Sequence, residues 1–198
     1  MSRPLAELRR EAEGCTACDL YVHASQTVFG EGSARARLVL VGEQPGDHED
    51  RSGHPFVGPA GGVLDRALES AGIDKGRVYL TNAVKHFKFE SRGKTRIHKK
   101  PSAAQVRACE PWWRAELDTI EPRAVVALGA TAAQAMLGPE VRVTRDRGVV
   151  IPAAVDGIDA VVTIHPSAVL RAREGTRAQL FDELVADLRL AASAAQLY

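Results

Sequence analysis

The chain has 198 residues, 45% of them apolar and 26% charged, with a net charge of +1. That size and composition predict one soluble globular domain, spanning 1–198, with a full core. They exclude a global basic field, and no apolar run reaches the length of a membrane-spanning helix. The N-terminus lacks the apolar core of a signal peptide, so a cytosolic protein with no membrane partner is expected. No long apolar seam is visible, and a monomer is expected.

Residues 4–13 read as a short polar helix ended by Gly14. Cys15-Thr16-Ala17-Cys18 follows in a turn. With Cys109 the chain has three cysteines, an odd count that argues against a disulfide framework and towards a metal or redox role. The C-x-x-C precedes the first long strand instead of following one, so a metal clip is the better reading. Residues 21–37 form an irregular link with a short strand at 27–29.

Residues 37–41 make the first long strand, an apolar run bounded by Gly42. A loop then carries Glu43, Gln44, Asp47, His48, Glu49 and Asp50, punctuated by Gly42, Pro45 and Gly46. The turn Gly58-Pro59-Ala60-Gly61-Gly62 feeds a helix with Val63, Leu64, Ala67, Leu68 and Ala71 at helical spacing. Residues 77–81 make the second strand, ending at Asn82. A basic loop at 85–101 comes next, with seven Lys or Arg (85, 88, 92, 94, 96, 99, 100) and one acid, Glu90. Such a local excess suits a polyanion. Ser102 and Gln105 are spaced as a capping box opening a helix, which Pro111 should kink or split.

The third strand is 124–128, closed by Gly129, with a helix over 131–137. A short β excursion is expected around 147–150. The fourth strand, 160–164, ends at His165-Pro166-Ser167, and a final helix shows Leu180, Phe181, Leu184, Val185 and Leu188 on one face. The alternation predicts an α/β three-layer sandwich with a central four-stranded parallel sheet flanked by helices. Parallel strands share one carboxyl edge, so Glu43, Asn82 and His165 should converge on one crevice there.

Four motifs now carry a resemblance: Gly42-Glu43-Gln44-Pro45-Gly46, Gly53-His54-Pro55-Phe56-Val57-Gly58-Pro59, Thr81-Asn82-Ala83-Val84-Lys85 and His165-Pro166-Ser167. Over nearly its whole length the chain resembles the uracil-DNA glycosylase superfamily. The cysteines at 15, 18 and 109 look like those of its iron–sulfur branch. The segment Lys94-Thr95-Arg96-Ile97-His98 is similar to the inserted loop of family X, whose members become covalently joined to the uracil-containing DNA they act on. Thr95 departs from that loop's usual K-R-R-I-H wording. His86 stands where family 4 members have a fourth cysteine.

The resemblance implies an enzyme that excises uracil from DNA, with single-stranded DNA the expected substrate and duplex DNA left open as the alternative. Phe56 would stack on the flipped base. Asn82 would match uracil O4 and N3–H. His165 would donate to O2 as negative charge develops, helped by backbone N–H groups of the Gln44–Gly46 turn. Asp47 and Ser167 join the substrate-binding set, and Arg96 with Lys94, Lys99 and Lys100 would meet phosphates. His98 would capture the sugar C1′, with Glu43 steadying its ring. Cys15, Cys18, His86 and Cys109 would hold a [4Fe–4S] cluster; their spacing alone leaves zinc open. Two rivals stand beside this reading: a conventional turnover glycosylase, and a non-catalytic, metal-stapled DNA-binding module. A nucleotide-phosphate enzyme is weak, since no Walker-type motif is present.

Overall fold

The computed structural model describes residues 3–198. In chain order their strands are β1 (Glu31–Gly32), β2 (Leu38–Gly42), β3 (Val78–Asn82), β4 (Phe89–Arg92), β5 (Thr95–His98), β6 (Ala124–Leu128), β7 (Val150–Val155) and β8 (Ile158–Thr163). The helices are α1 (Leu5–Glu13), α2 (Asp47–Ser52), α3 (Pro59–Ser70), α4 (Ala103–Ile120), α5 (Ala130–Leu137), α6 (Val143–Asp146), α7 (Pro166–Arg171) and α8 (Glu174–Ala194).

One mixed sheet has the order β1-β3-β2-β6-β8-β7. Its four central strands are parallel, as the sequence predicts, and β1 and β7 add antiparallel edges, so the sheet has six strands and not four. The edges escaped the pattern for physical reasons. β1 is two residues long, and lies at 31–32 instead of the expected 27–29. β7 lies at 150–155 instead of the expected 147–150, is partly solvated, carries Pro152, and shifts register between Ile151 and Val155. The central strands β2, β3 and β6 are buried along their whole length. Leu38, Leu40, Leu80 and Val126 face a core shared with Leu64 and Leu68 of α3 and Leu184 and Leu188 of α8. Their neighbours Val39, Val41, Tyr79 and Val125 face Trp113 and Leu117 of α4 and Ala132 of α5. Helices therefore cover both faces, giving the α/β/α layering.

The box predicted at the start of α4 forms: Gln105 N donates to Ser102 Oγ at 3.3 Å and Ser102 N to Gln105 Oε1 at 2.8 Å. Pro111 does not split the helix, which runs unbroken from Ala103 to Ile120. A proline deletes only one backbone donor, and buried Cys109, Trp113, Glu116, Leu117 and Ile120 fix the helix on both sides of it.

The basic stretch is not a solvated loop. Lys85, His86 and Phe87 are buried, and β4 and β5 pair as an antiparallel hairpin closed by Gly93-Lys94, with Gly93 at φ 57°. Phe87 and Phe89 stack at 5.1 Å, and the Arg96 guanidinium lies over Phe89 at 4.9 Å. The charges that suggested a loop sit on a hairpin with an aromatic underside. Residues 47–52, also expected in a loop, form α2. Among the described residues no helix is long and apolar enough to cross a membrane.

A candidate base-binding site at the carboxyl edge

The parallel strands end around a cleft of about 580 Å³ lined by Glu43, Gln44, Phe56, Asn82, His98, Thr131 and His165, among others. Glycines let these groups meet. A Cβ on Gly42 would lie 2.4 Å from Asn82 Oδ1 and 2.7 Å from Phe56 Cζ, so only a bare backbone at the end of β2 lets amide and ring approach each other. Phe56 itself adopts φ 57° and is buried. Its carbonyl is so close to the first turn of α3 that a Cβ on Gly61 would lie 1.8 Å away. The Gly58–Gly62 turn thus serves close packing around Phe56. Gly129 ends β6 at φ 88°, with its absent Cβ 2.9 Å from that of His165.

His165 is held in one tautomer. Ser167 N donates to its Nδ1 at 3.2 Å, and Ser167 Oγ lies 2.9 Å from the same atom. The lone pair therefore sits on Nδ1 and the proton on Nε2. Burial, with the charges of Arg171 and His98 adding to it, lowers the ring to about 4. His165 is a neutral N–H donor at neutral pH.

His98 closes β5 at the rim, half exposed, with Nε2 3.3 Å from Glu43 Oε1. The other oxygen of Glu43 accepts from the Thr131 hydroxyl. Burial pushes the His98 ring down; Glu43 opposes that and Arg171 reinforces it. Lys100 and Arg171 also line the cleft. Thr131 was not foreseen. Its only signal is a hydroxyl two residues past a strand-end glycine.

Other predicted residues have different employment. Gln44 faces the cleft, but its amide is tied to the hairpin: Nε2 donates to Lys88 O and Lys99 O at 3.2 and 3.1 Å, and Oε1 accepts from Lys88 N at 3.1 Å. Gly46 N donates to Glu49 Oε2, so that turn donor is already spent. Arg96 pairs with Asp47 and, at 2.6 Å, with Asp50, and its side chain is only 14% exposed. It is a strut between the hairpin and α2, with its guanidinium engaged by two carboxylates. Asp47 lines the cleft while its carboxylate is held by Arg96 and Arg51, which keep it below the usual carboxylate range against the opposing effect of burial. Lys85 is fully buried and pairs with Glu116 at 2.6 Å, so it too is no DNA contact.

The cysteines gather on the flank of α4. Cys18 and Cys109 pack with Leu20, Val84 and Trp112. Trp112 Nε1 donates to Cys15 Sγ at 3.2 Å and Lys85 N to Cys109 Sγ at 3.1 Å. Burial raises the Cys109 thiol to about 12. His86 Nε2 is 2.9 Å from Thr27 Oγ1, whose own proton goes to Ala12 O. The imidazole must therefore donate from Nε2, leaving a lone pair on Nδ1. Among the described residues no three His, Cys, Asp or Glu side chains close around a metal-sized point. The donor chemistry nonetheless fits a cluster: N–H groups aimed at two sulfurs, and a neutral histidine oriented through its other nitrogen.

A ring, an amide and a neutral N–H donor converge at the edge of a parallel sheet, an arrangement of the shape and polarity that suits a planar polar ring. The model of the uracil DNA glycosylase superfamily matches residues 29–189. The Type-4 uracil-DNA glycosylase of Thermotoga maritima is 39% identical over 160 residues, covering 80% of this chain and 79% of that protein. Those of Pyrobaculum aerophilum (33% identical; 84% and 85% covered) and Archaeoglobus fulgidus (32%; 93% and 90%) are similar over as much or more. The chain belongs to the uracil-DNA glycosylase superfamily.

Proposed function

We propose that this protein excises uracil from DNA and is then captured on the sugar it exposes, in the manner of family X. The observation that carries this reading is the His98–Glu43 pair at the rim of a pocket already furnished for a base. In the proposed reaction the uracil is flipped onto Phe56 and read by Asn82. The bond from C1′ to N1 breaks and its electron pair leaves with the base, whose O2 receives the Nε2–H of His165. The sugar becomes cationic at C1′. The free lone pair of His98 then forms the new bond to C1′, while Glu43 holds the other ring nitrogen and balances the positive ring that results. The departing uracil anion takes its proton from solvent. A tethered nucleophile outruns water because its positioning is worth roughly 7–11 kcal/mol. An alkylated imidazole is a poor leaving group, so the protein acts once.

Cys15, Cys18, His86 and Cys109 would hold a [4Fe–4S] cluster, which when bound supplies a structural brace between the N-terminal clip, α4 and the root of the hairpin. The chain's own N–H donors from Trp112 and Lys85 would steady its sulfur ligands. Lys94, Lys99 and Lys100 would meet the backbone of single-stranded or duplex DNA.

Incubation with a single-stranded uracil oligonucleotide, followed by denaturation, tests the proposal. A band shifted by the mass of the protein is expected. Abasic product without the shift would support ordinary turnover instead. No uracil loss and no adduct would leave a binding module.

A further inference from the structure

The proposed chemistry uses neither Lys85 nor Glu116, yet this ion pair is buried directly behind the residue that would read the base. Lys85 Nζ and Glu116 Oε2 are 2.6 Å apart, and neither side chain reaches solvent. Both groups are fully engaged. Glu116 Oε1 accepts from Gly30 N at 2.9 Å and from the Tyr79 hydroxyl at 3.0 Å. Its Oε2 accepts from the Thr81 hydroxyl at 2.8 Å as well as from Lys85. The ammonium gives its other two protons to Thr81 Oγ1 and to the carbonyl of Asn82, the latter at 3.1 Å.

β1 pairs with Tyr79 and Leu80 only, so the last residues of β3 have a strand neighbour on the β2 side alone. Lys85 supplies from a side chain the donor that a further strand would give the Asn82 carbonyl. Tyr79 and Thr81 face Glu116 of α4. Asn82, one residue on, turns to the opposite face, where its Oδ1 and the Phe56 ring both lie against Gly42. The network thus grips the end of β3 from behind, while the amide projects in front. A buried ion pair gives little net stability over apolar side chains of similar volume. What this one provides is direction, since each of its bonds fixes an angle as well as a distance.

We infer that Lys85 and Glu116 are positioning residues for Asn82: the pair anchors the open end of β3 and so sets where the Asn82 amide meets the edge of uracil. This rests on the uracil-excision reading above.

Lys85→Met combined with Glu116→Gln removes both charges together, so no lone ion is left buried. The Gln oxygen can still accept from Gly30 N and Tyr79, and its NH₂ can donate to Thr81 Oγ1. Only the Asn82 carbonyl loses its donor. Single-turnover base release from a single-stranded oligonucleotide is compared in the native background and with Asn82→Ala. A 5-fluorouracil oligonucleotide, whose base leaves more readily, keeps the slow variants measurable. The paired substitution should slow release about tenfold where Asn82 is present, the equivalent of one charge-assisted hydrogen bond, and less than about twofold where it is absent. Thr81→Val, which withdraws one acceptor of the same ammonium, should show the same dependence on Asn82 and serves alone if the paired variant does not fold. Equal slowing in both backgrounds would overturn the inference and leave the pair a brace of the fold. Unchanged release by a folded variant would overturn it too. Failure of the unaltered protein to release uracil would instead overturn the excision reading.

Discussion

At the scale of single residues, what matters is which atoms carry protons. Ser167 N fixes the tautomer of His165, and burial lowers its folded-state pKa from an ordinary 6.5 to about 4. Between 6.5 and about 4 the unfolded chain takes up a proton that the folded chain refuses. The associated stability is fully present above 6.5 and is lost as pH falls through about 4. Urea unfolding from pH 7 down to 4 should show a steeper fall in stability for the native protein than for His165→Asn. Equal slopes would mean that the ring titrates normally. His165 was legible in the sequence because a strand-end histidine before Pro-Ser caps a helix and faces the sheet edge. Its proton was not, because Ser167 N reaches the ring only once α7 forms.

At the scale of elements, the β4–β5 hairpin is the device that delivers His98. Three anchors hold it: the Gln44 amide on the backbone at Lys88 and Lys99, Arg96 on Asp47 and Asp50, and the Phe87–Phe89 stack. Asp50 is fully buried, and its other partner is Ser25 N. Arg96→Met would leave that carboxylate short of a cation, destabilising the hairpin's seat by about 3 kcal/mol. Trypsin should then cut within 92–100 markedly faster, and adduct formation should slow. Unchanged cleavage and adduct yield would show that the other two anchors suffice. The sequence revealed the basic character of this stretch and its place between β3 and α4. It concealed the hairpin, since Lys and Arg at alternate positions mask the pairing of Phe89 with His98, and a guanidinium placed over an aromatic ring reads as a free charge. The two edge strands were hidden differently, by brevity and by a proline, whereas the four parallel strands announced themselves as largely apolar runs.

At the scale of the whole molecule, the central sheet separates two jobs. Its carboxyl edge holds the pocket, and the flank of α4 gathers Cys15, Cys18 and Cys109. Lys85 lies between them: Nζ donates to Asn82 O at 3.1 Å and the backbone N to Cys109 Sγ. Protein purified without chelator should be brown and carry iron, and its thermal midpoint should fall when the iron is removed. Colourless protein with stoichiometric zinc would contradict the cluster. The central claim is that uracil excision ends in a bond from C1′ to His98. The most direct measurement digests the DNA-linked product and sequences the modified peptide by mass spectrometry, alongside the same reaction with His98→Ser. The expected result is the sugar on His98 in the native protein and no adduct in the variant, whose smaller side chain admits water and allows uracil release to turn over. An adduct mapped to another residue, or one surviving denaturation in His98→Ser, would contradict it.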